Sequence, residues 1–238
     1  MTSRSPPALG ILMLDTRFPR VPGDVGNPST WPFPVRYGVV RDASPERVVR
    51  GRARGLVDAF AAAGRALAAE GAAGIVTTCG FLALHQRRLA QALPVPFASS
   101  SLLQLPVLAR TLPAGKRPGV LTVDAAALTR RHLAAVGADP TTPVVGVVPS
   151  GAFARAILGN EPALDVVAAE REIVAAGEKL VGEHPEVAAI VLECTNMPPY
   201  AGALRRRLGL PVHDMVSFGR WFYAGLSPGT FEAEGDPD

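Results

Sequence analysis

The sequence predicts an α/β protein built from two pseudo-symmetric lobes, each a parallel sheet flanked by helices. Three pairs of similar segments occur in the same order in both halves of the chain. The pairs are 10–15 (GILMLD) with 119–124 (GVLTVD), 71–80 (GAAGIVTTCG) with 187–196 (VAAIVLECTN), and 93–95 (LPV) with 210–212 (LPV). The two copies lie roughly 110 residues apart, which indicates a duplicated unit rather than one isolated similarity.

Apolar runs alternate with longer helical stretches along both halves, a pattern typical of parallel sheets with right-handed crossovers. In the first half we predict strands at 9–15, 72–78 and 94–98, and helices at 44–70, 80–92 and 99–110. In the second half we predict strands at 118–123, 143–148, 187–193 and 211–213, a turn at 149–151, and helices at 125–136, 163–182, 199–208 and 215–224. Residues 226–238 are predicted to be frayed.

These elements predict an N-terminal lobe over residues 1–111 and a C-terminal lobe over residues 112–214. Residues 112–117 are expected to form the hinge between them. The last segment, 215–238, is expected to pack on the N-terminal lobe.

Residues 16–45 contain six prolines and little periodicity. A connection of this length is usually either a functional loop or a disordered linker. Disorder is disfavoured because the segment offers aromatic side chains for burial, Phe18, Trp31, Phe33 and Tyr37,. We therefore predict an ordered cover over an active site, with the prolines reducing the entropy lost on ordering.

Composition excludes several classes of function. The hydrophobic fraction of 48% is typical of soluble globular proteins,, and no apolar run approaches the roughly 20 residues that cross a bilayer. With no recognisable signal peptide, we expect a cytoplasmic protein that does not bind membranes and has no disulfide. The net charge is +3 and the 6% aromatic residues do not interleave with the arginine runs, so we expect no nucleic-acid partner.

Cys79 and Cys194 are the only cysteines, and each follows an apolar run of the repeat. Ligands of open α/β sheets bind outside the carboxyl ends of the strands. Backbone N–H groups at the start of the next helix are expected to stabilise a thiolate there. Two thiols on opposite sides of one carbon can remove a proton and return another, which inverts a stereocentre without a metal or an organic cofactor. The alternative, two buried cysteines that act as small apolar side chains, does not explain their equivalent positions.

The segments Thr78-Cys79-Gly80 and Glu193-Cys194-Thr195-Asn196 resemble the aspartate/glutamate/hydantoin racemase superfamily, and the resemblance extends from Gly10 to about Met215. It implies an active site in the cleft between the lobes, with one cysteine from each lobe as the acid/base pair. It also implies a reaction that needs no cofactor or metal, and a small-molecule substrate that carries a carboxylate or an amide. A homodimer is compatible with the sequence.

The resemblance assigns further residues to the substrate. Asp15-Thr16 corresponds to an Asp-Ser pair that contacts substrate in glutamate racemases, and Thr195 corresponds to a threonine that helps to hold the substrate carboxylate. Two positions depart from the amino-acid racemases. Gly80 stands where an asparagine is common, and Asn196 stands where glutamate racemases have a histidine, so glutamate is disfavoured as the substrate.

Other polar residues have two interpretations each. Thr78 and Gly80, which flank the first cysteine, and Asn196, which lies two residues after the second, are candidates for substrate binding. Ser100 could donate to a substrate carboxylate or could cap a helix. Asp124 mirrors the first-lobe aspartate or caps the next helix. Glu193 would raise the pKa of Cys194 by like-charge repulsion if it faced the cleft, and would otherwise be a surface carboxylate.

The leading functional hypothesis is a cofactor-independent racemase or epimerase of an amino acid or related carbon acid, hydantoin-like substrates included. A maleate-type cis–trans isomerase or a decarboxylase of the same superfamily is the alternative, although two cysteines disfavour a single-thiol decarboxylase. An alternative from another class is a two-lobed protein that binds a small molecule without chemistry.

Overall fold

The chain forms two four-stranded parallel sheets of the same topology. The structure is a computed structural model that describes residues 6–228. The first sheet has the order β2-β1-β3-β4, with strands β1 (Ala8–Leu14), β2 (Val35–Val40), β3 (Ala72–Thr77) and β4 (Phe97–Ala98). The second has the order β6-β5-β7-β8, with strands β5 (Arg117–Thr122), β6 (Val144–Gly146), β7 (Val187–Leu192) and β8 (Val212–His213). The predicted fold of two parallel-sheet lobes is confirmed.

The similarity of the two sheets extends to their register. Strand β1 shifts register against β3 between Ala8 and Leu9, and β5 shifts against β7 between Arg117 and Pro118. These four strands are almost entirely buried, because helices cover both faces of each sheet,. The carboxyl ends of β3 and β7, which precede the two cysteines, therefore occupy equivalent positions.

Nine α-helices connect the strands within the described part of the chain. They are α1 (Pro45–Val49), α2 (Val57–Ala69), α3 (Gln86–Ala92), α4 (Leu105–Thr111), α5 (Arg130–Ala135), α6 (Ala152–Leu158), α7 (Val166–Glu183), α8 (Ala201–Leu208) and α9 (Met215–Leu226). Short 3-10 segments lie at Pro28–Thr30, Gly80–His85, Ser101–Gln104 and Pro198–Tyr200.

The prediction of one helix over 44–70 was wrong. The helix starts as expected, with Ser44 as the cap and Pro45 in the first turn,. The backbone then enters the left-handed region at Arg52, Ala53 and Gly55, where φ is 55°, 50° and 74°. Because this conformation cannot continue a right-handed helix, the chain breaks into α1 and α2.

The prediction of a single ordered loop over 16–45 was also wrong in part, because β2 lies inside it. This strand pairs with β1 along its whole length, from Leu9 opposite Val35 to Leu14 opposite Val40. It is an edge strand, which tolerates the proline immediately before it. Its stability comes from a pairing that is distant in sequence, so the local proline content concealed it.

Helix α6 was not predicted, and its start explains why. The Glu172 carboxylate of α7 accepts hydrogen bonds from the N–H groups of Ala152, at 2.7 Å, and Phe153, at 3.0 Å. This cap comes from another helix rather than from the local sequence. Two neighbouring elements are shorter than predicted: α5 replaces a helix over 125–136, and β6 replaces a strand over 143–148.

Helix α9 follows the second sheet in sequence but packs on the first. A side chain at Gly74 of β3 would collide with Phe222 and Leu226, so the missing side chain permits close approach of the helix. Phe33 stacks on Tyr223 with ring centroids 3.7 Å apart. The boundary between lobes at 111/112 stays a prediction, and the predicted fraying of 226–238 falls largely on 229–238, outside the described residues.

Two buried hydroxyl groups join the lobes at the ends of the central strands. Ser101 donates to the carbonyl oxygen of Leu192 at 2.7 Å, and Thr195 donates to the carbonyl oxygen of Thr78 at 2.6 Å. Both donors are almost fully buried. They fix the loop after β7 against the first lobe. No helix within residues 6–228 is long and apolar enough to cross a bilayer.

Replacing Ser101 by alanine should lower the free energy of unfolding by about 1–3 kcal/mol, because the Leu192 carbonyl loses a buried donor. Urea unfolding monitored by circular dichroism measures this change. The control is Thr111→Ala, which removes an exposed hydroxyl bonded within its own helix and should change stability by less than about 0.5 kcal/mol. Equal effects of the two substitutions would contradict the assigned interlobe contact.

Candidate active site

Cys79 and Cys194 line one cavity between the two lobes. Each lies two residues beyond the end of its central strand, β3 or β7. Both are free thiols and both are more than 90% buried. The walls around them are mainly apolar, and Phe18, Phe81 and Ile157 contribute large side chains. The duplicated topology thus brings the two thiols to one site.

The cavity is narrow in this conformation. About 20 Å³ of it is open to the centre of a water molecule, which is room for about one water. A substrate therefore needs the site to open before it can enter.

The loop that carries Cys79 is held by a buried threonine. The Thr77 hydroxyl donates to the Ser99 carbonyl oxygen at 2.7 Å and accepts from the Cys79 N–H at 3.3 Å. Thr78 uses its hydroxyl to accept from the Leu14 N–H at 3.1 Å. The first cysteine is thus fixed by hydrogen bonds to β1 and to the loop after β4.

A chain of polar contacts holds Cys194. Its Sγ donates to Asn196 Oδ1 at 3.5 Å, and Asn196 Nδ2 donates to Asp24 Oδ2 at 2.5 Å. Asp24 Oδ1 accepts from Arg20 Nη1 at 3.1 Å and from the Gly26 N–H at 2.7 Å. Because the amide nitrogen is committed to Asp24, the amide oxygen faces the thiol and favours its protonated form.

Burial raises the pKa of both thiols. The pKa of Cys79 rises to about 12, mainly through desolvation and then through the Glu193 carboxylate; N–H groups of Phe81 and Leu82 oppose the rise. The pKa of Cys194 lies well above its ordinary value for the same two causes in the same order. Backbone N–H groups stabilise the charged form of both thiols, as expected, but desolvation outweighs these hydrogen bonds, so both thiols are protonated at rest,.

Glu193 faces the cavity, so the surface interpretation of this residue is wrong. Its side chain is fully buried, and its Oε2 accepts from the Thr122 hydroxyl at 2.7 Å. Burial, which outweighs this hydrogen bond, together with the nearby Asp124, raises its pKa to about 8. At neutral pH the carboxyl is therefore mostly uncharged, and its repulsion of a thiolate becomes strong only at higher pH.

The structure brings some of the predicted substrate-binding residues together and leaves others apart. Thr78, Gly80, Thr195 and Asn196 line the cavity with the two cysteines. Their contacts with a substrate stay predictions.

Asp15, Thr16 and Ser100 do not line the cavity. Asp15 is exposed and its carboxylate accepts from the Asp42 N–H, whereas the Thr16 hydroxyl accepts from Arg20. Ser100 is buried and caps the following 3-10 segment. Their proposed roles in substrate binding likewise stay predictions.

Sequence reasoning missed the polar residues of the proline-rich segment. Arg20 and Asp24 lie four residues apart in a stretch with no strand or helix signal, and nothing in the sequence indicated that Asp24 bonds the loop after Cys194. Ile157 was missed because α6 was missed. The predicted aromatic content did identify Phe18, whose ring is buried and lines the cavity.

The segment 16–34 lies over the cavity. The Val25 N–H donates to the Thr195 carbonyl oxygen at 3.4 Å, and Gly23, with φ of 96°, lies against Pro199 where a side chain would not fit. Together with the bond from Asp24 to Asn196, these contacts join the segment to the second lobe. Its position is that of the expected cover; an opening motion stays a prediction.

Sequence comparison gives relatives that are lyases by name. No family model matches the chain. The chain is 30% identical over 228 residues to dimethylsulfoniopropionate lyase 5 of Emiliania huxleyi, a match that covers 91% of this chain and 45% of that protein. It is 28% identical over 227 residues to a dimethylsulfoniopropionate lyase of Durusdinium, with 92% of this chain and 75% of that protein covered. The chain therefore spans less than half the length of the first of these relatives.

Solved structures give the fold. A Gly-to-Cys mutant of arylmalonate decarboxylase superposes with a TM-score of 0.65 at 18% identity, covering 97% of both chains. Allantoin racemase of Klebsiella pneumoniae superposes with a TM-score of 0.59 at 15% identity, covering 92% of this chain and 86% of that one.

The chain has the fold of the aspartate/glutamate racemase superfamily. Within this racemase-superfamily fold, the solved neighbours include both racemases and a decarboxylase. The fold thus agrees with the predicted resemblance, and the function has to be argued from the site, because one fold can carry different functions.

Replacing Asp24 by alanine should loosen the cover, because Arg20, the Gly26 N–H and Asn196 each lose a partner. We expect trypsin to cleave after Arg17 and Arg20 at least about fivefold faster than in the wild type, as local opening becomes easier. Mass spectrometry of the timed digest identifies the cut.

Asp58→Ala is the charge-matched control for this digest, since it removes an exposed ion pair with Arg88 on the surface. It should leave the cleavage rate of the segment unchanged. An Asp24→Ala chain that resists trypsin as well as the wild type would show that the polar contacts do not hold the cover.

Proposed function

We propose that this chain is an enzyme that moves a proton at a carbon next to a carboxylate, with Cys79 and Cys194 as its acid/base pair. One observation carries the proposal: two thiols from equivalent positions of the two lobes line the same narrow cavity. A non-catalytic binding protein has no need for this pairing.

The proposed cycle starts once one thiol has released its proton to solvent, which leaves one thiolate and one thiol in the site. A thiol whose pKa lies near 12 gives a strong base once it is deprotonated, which suits abstraction from a weak carbon acid. The electron pair of the broken C–H bond moves into the carboxylate as an enediolate. The opposite thiol can then deliver its proton to the other face of the carbon, and the two sulfurs exchange roles.

Racemisation or epimerisation is the outcome when the opposite thiol returns the proton. The Asn196 contact supports this outcome, because it holds Cys194 as a protonated donor while the other thiol acts as base. Decarboxylation of a second carboxylate on the same carbon would form the same enediolate and needs only one of the thiols.

β-Elimination is the second candidate, and the sequence relatives favour it. Dimethylsulfoniopropionate, the compound in their names, is a propionate that carries a dimethylsulfonium group on its β-carbon. Loss of the α-proton to a thiolate would send the C–H electrons into a new C=C bond and the C–S electrons to sulfur. The products would be acrylate and dimethyl sulfide, and a single base suffices.

Replacing either cysteine by serine should abolish racemisation in both directions, because every turnover needs both groups. Incubation with amino acids, hydantoins and dimethylsulfoniopropionate in heavy water, followed by NMR of the α-position, measures exchange and product together. If the enzyme is a racemase, Cys79→Ser and Cys194→Ser should each retain deuterium exchange in one enantiomer only, and in opposite enantiomers.

If the enzyme is a lyase, only the mutant that lacks the base should lose release of acrylate, by more than about a hundredfold. Thr111→Ala is the control for expression and folding and should retain full activity. Near wild-type turnover in both cysteine mutants would contradict the proposed function.

A further inference from the structure

Glu193 is the one carboxylate among the side chains that line the cavity. It is 0% exposed, and it comes directly before Cys194 at the end of β7. One of its oxygens, Oε2, is bonded to Thr122, whereas Oε1 is buried without a hydrogen-bond partner. A buried polar atom without a partner is costly, so this atom calls for a functional explanation.

The hydrogen bonds of Thr122 determine which oxygen of a neutral Glu193 carries the proton. Among the described residues, Glu193 Oε2, at 2.7 Å, is the one acceptor for the Thr122 hydroxyl proton, and the same hydroxyl accepts from the Asp124 N–H at 3.4 Å. Oε2 is therefore the acceptor, or carbonyl-like, oxygen of the acid. The acidic proton lies on Oε1, which leaves an O–H donor free for a ligand.

Gly80 provides the space that Oε1 occupies. A side chain at this position would collide with both the carbonyl oxygen and Oε1 of Glu193. Gly80 follows Cys79 directly and lines the same cavity. The free oxygen therefore lies between the loops of the two catalytic cysteines, where the reacting carbon is expected.

We propose that Glu193 acts as a neutral acid whose Oε1–H donates a hydrogen bond to the carboxylate of the bound substrate. This inference rests on the proposed function, since it assigns the group that holds the substrate's carboxylate in that site. As the α-proton leaves, negative charge builds on the carboxylate oxygens and the hydrogen bond strengthens. No covalent bond of Glu193 changes, and the group acts as a donor rather than as a base.

Charge balance favours the neutral form over the ionised one. The cavity lining contains no Lys, Arg or His side chain among the described residues. An ionised Glu193 would therefore lie beside the carboxylate of the bound substrate without a cation to compensate the two negative charges. The titratable groups that face it are Cys79, Cys194 and Asp124, and the last pairs with Arg50 at 3.4 Å. Asp124 raises the pKa of Glu193 and both thiols are uncharged near neutral pH, so none of these three groups supplies a positive charge that would stabilise the ionised carboxylate.

The test is the pH dependence of propionate binding, measured by NMR titration on the full chain. Propionate is ionised throughout the range from about pH 6 to about pH 9.5. The wild-type Kd should be constant up to about pH 7.5 and should then rise toward tenfold per pH unit above the pKa of about 8, because binding takes up one proton. In Glu193→Gln, whose amide can donate but cannot ionise, the Kd should not vary with pH over this range.

Two further variants keep the test decisive if Glu193→Gln folds poorly. Thr122→Val removes the hydrogen bond that stabilises the ionised carboxylate, so the rise in Kd should move to higher pH. Glu161→Gln changes an exposed carboxylate and should reproduce the wild-type profile. A pH-independent wild-type Kd, no binding at about pH 6, or the same rise in Glu193→Gln would each overturn the assignment.

Failure of this inference differs from failure of the proposed function. Exchange or elimination activity with a pH-independent Kd would remove Glu193 from the substrate's contacts and leave the two-thiol chemistry intact. A pH-dependent Kd without activity on any of the tested compounds would leave Glu193 as a hydrogen-bond donor to the ligand's carboxylate, in a site that binds the ligand but does not react with it.

Discussion

Burial of two thiols between two lobes is the constraint on which the rest of the site depends. Each sulfur can approach the same small volume only because β3 and β7 end at equivalent points of two sheets with the same order. The hydroxyls of Ser101 and Thr195 hold these ends together. They act within one hydrophobic core that spans both lobes, so apolar packing and hydrogen bonds together position the shared cavity.

The same burial determines the protonation states of the groups in the site. Desolvation moves the pKa values of both thiols and of Glu193 in one direction, toward the protonated forms. A site of neutral acids in an apolar enclosure can accept one negative charge from a substrate, and hydrogen bonds there act in a low dielectric. The arrangement therefore favours a substrate that brings its own carboxylate.

The proline-rich segment, residues 16–34, covers the cavity. Phe18 provides part of the apolar wall, and Asp24 connects the segment to Asn196 beside the second cysteine. Because Asn196 also accepts from the Cys194 thiol, the position of the cover and the orientation of that thiol are coupled. Opening of the segment would admit substrate, and closure would restore the dry environment that the proton transfer needs.

The sequence predicted the features that depend on local interactions and missed those that depend on residues distant in the chain. The repeat, the buried strands and the two cysteines at strand ends carry local signals, and all three were predicted. Strand β2 and helix α6 depend on a distant strand and on the distant carboxylate of Glu172, so local pattern could not find them. Asp24 bonds to Asn196 of the other lobe, and Glu193 is oriented by Thr122 of a neighbouring strand, so no single segment encodes either contact.

In the proposed mechanism the two thiols exchange protons with one carbon of the substrate from opposite faces. A crystal structure with propionate bound tests it directly. We expect a carboxylate near Glu193 and sulfurs roughly 6–9 Å apart, each about 3–4 Å from the α-carbon on opposite sides. Sulfurs more than about 15 Å apart, or both on one face of the ligand, would contradict it.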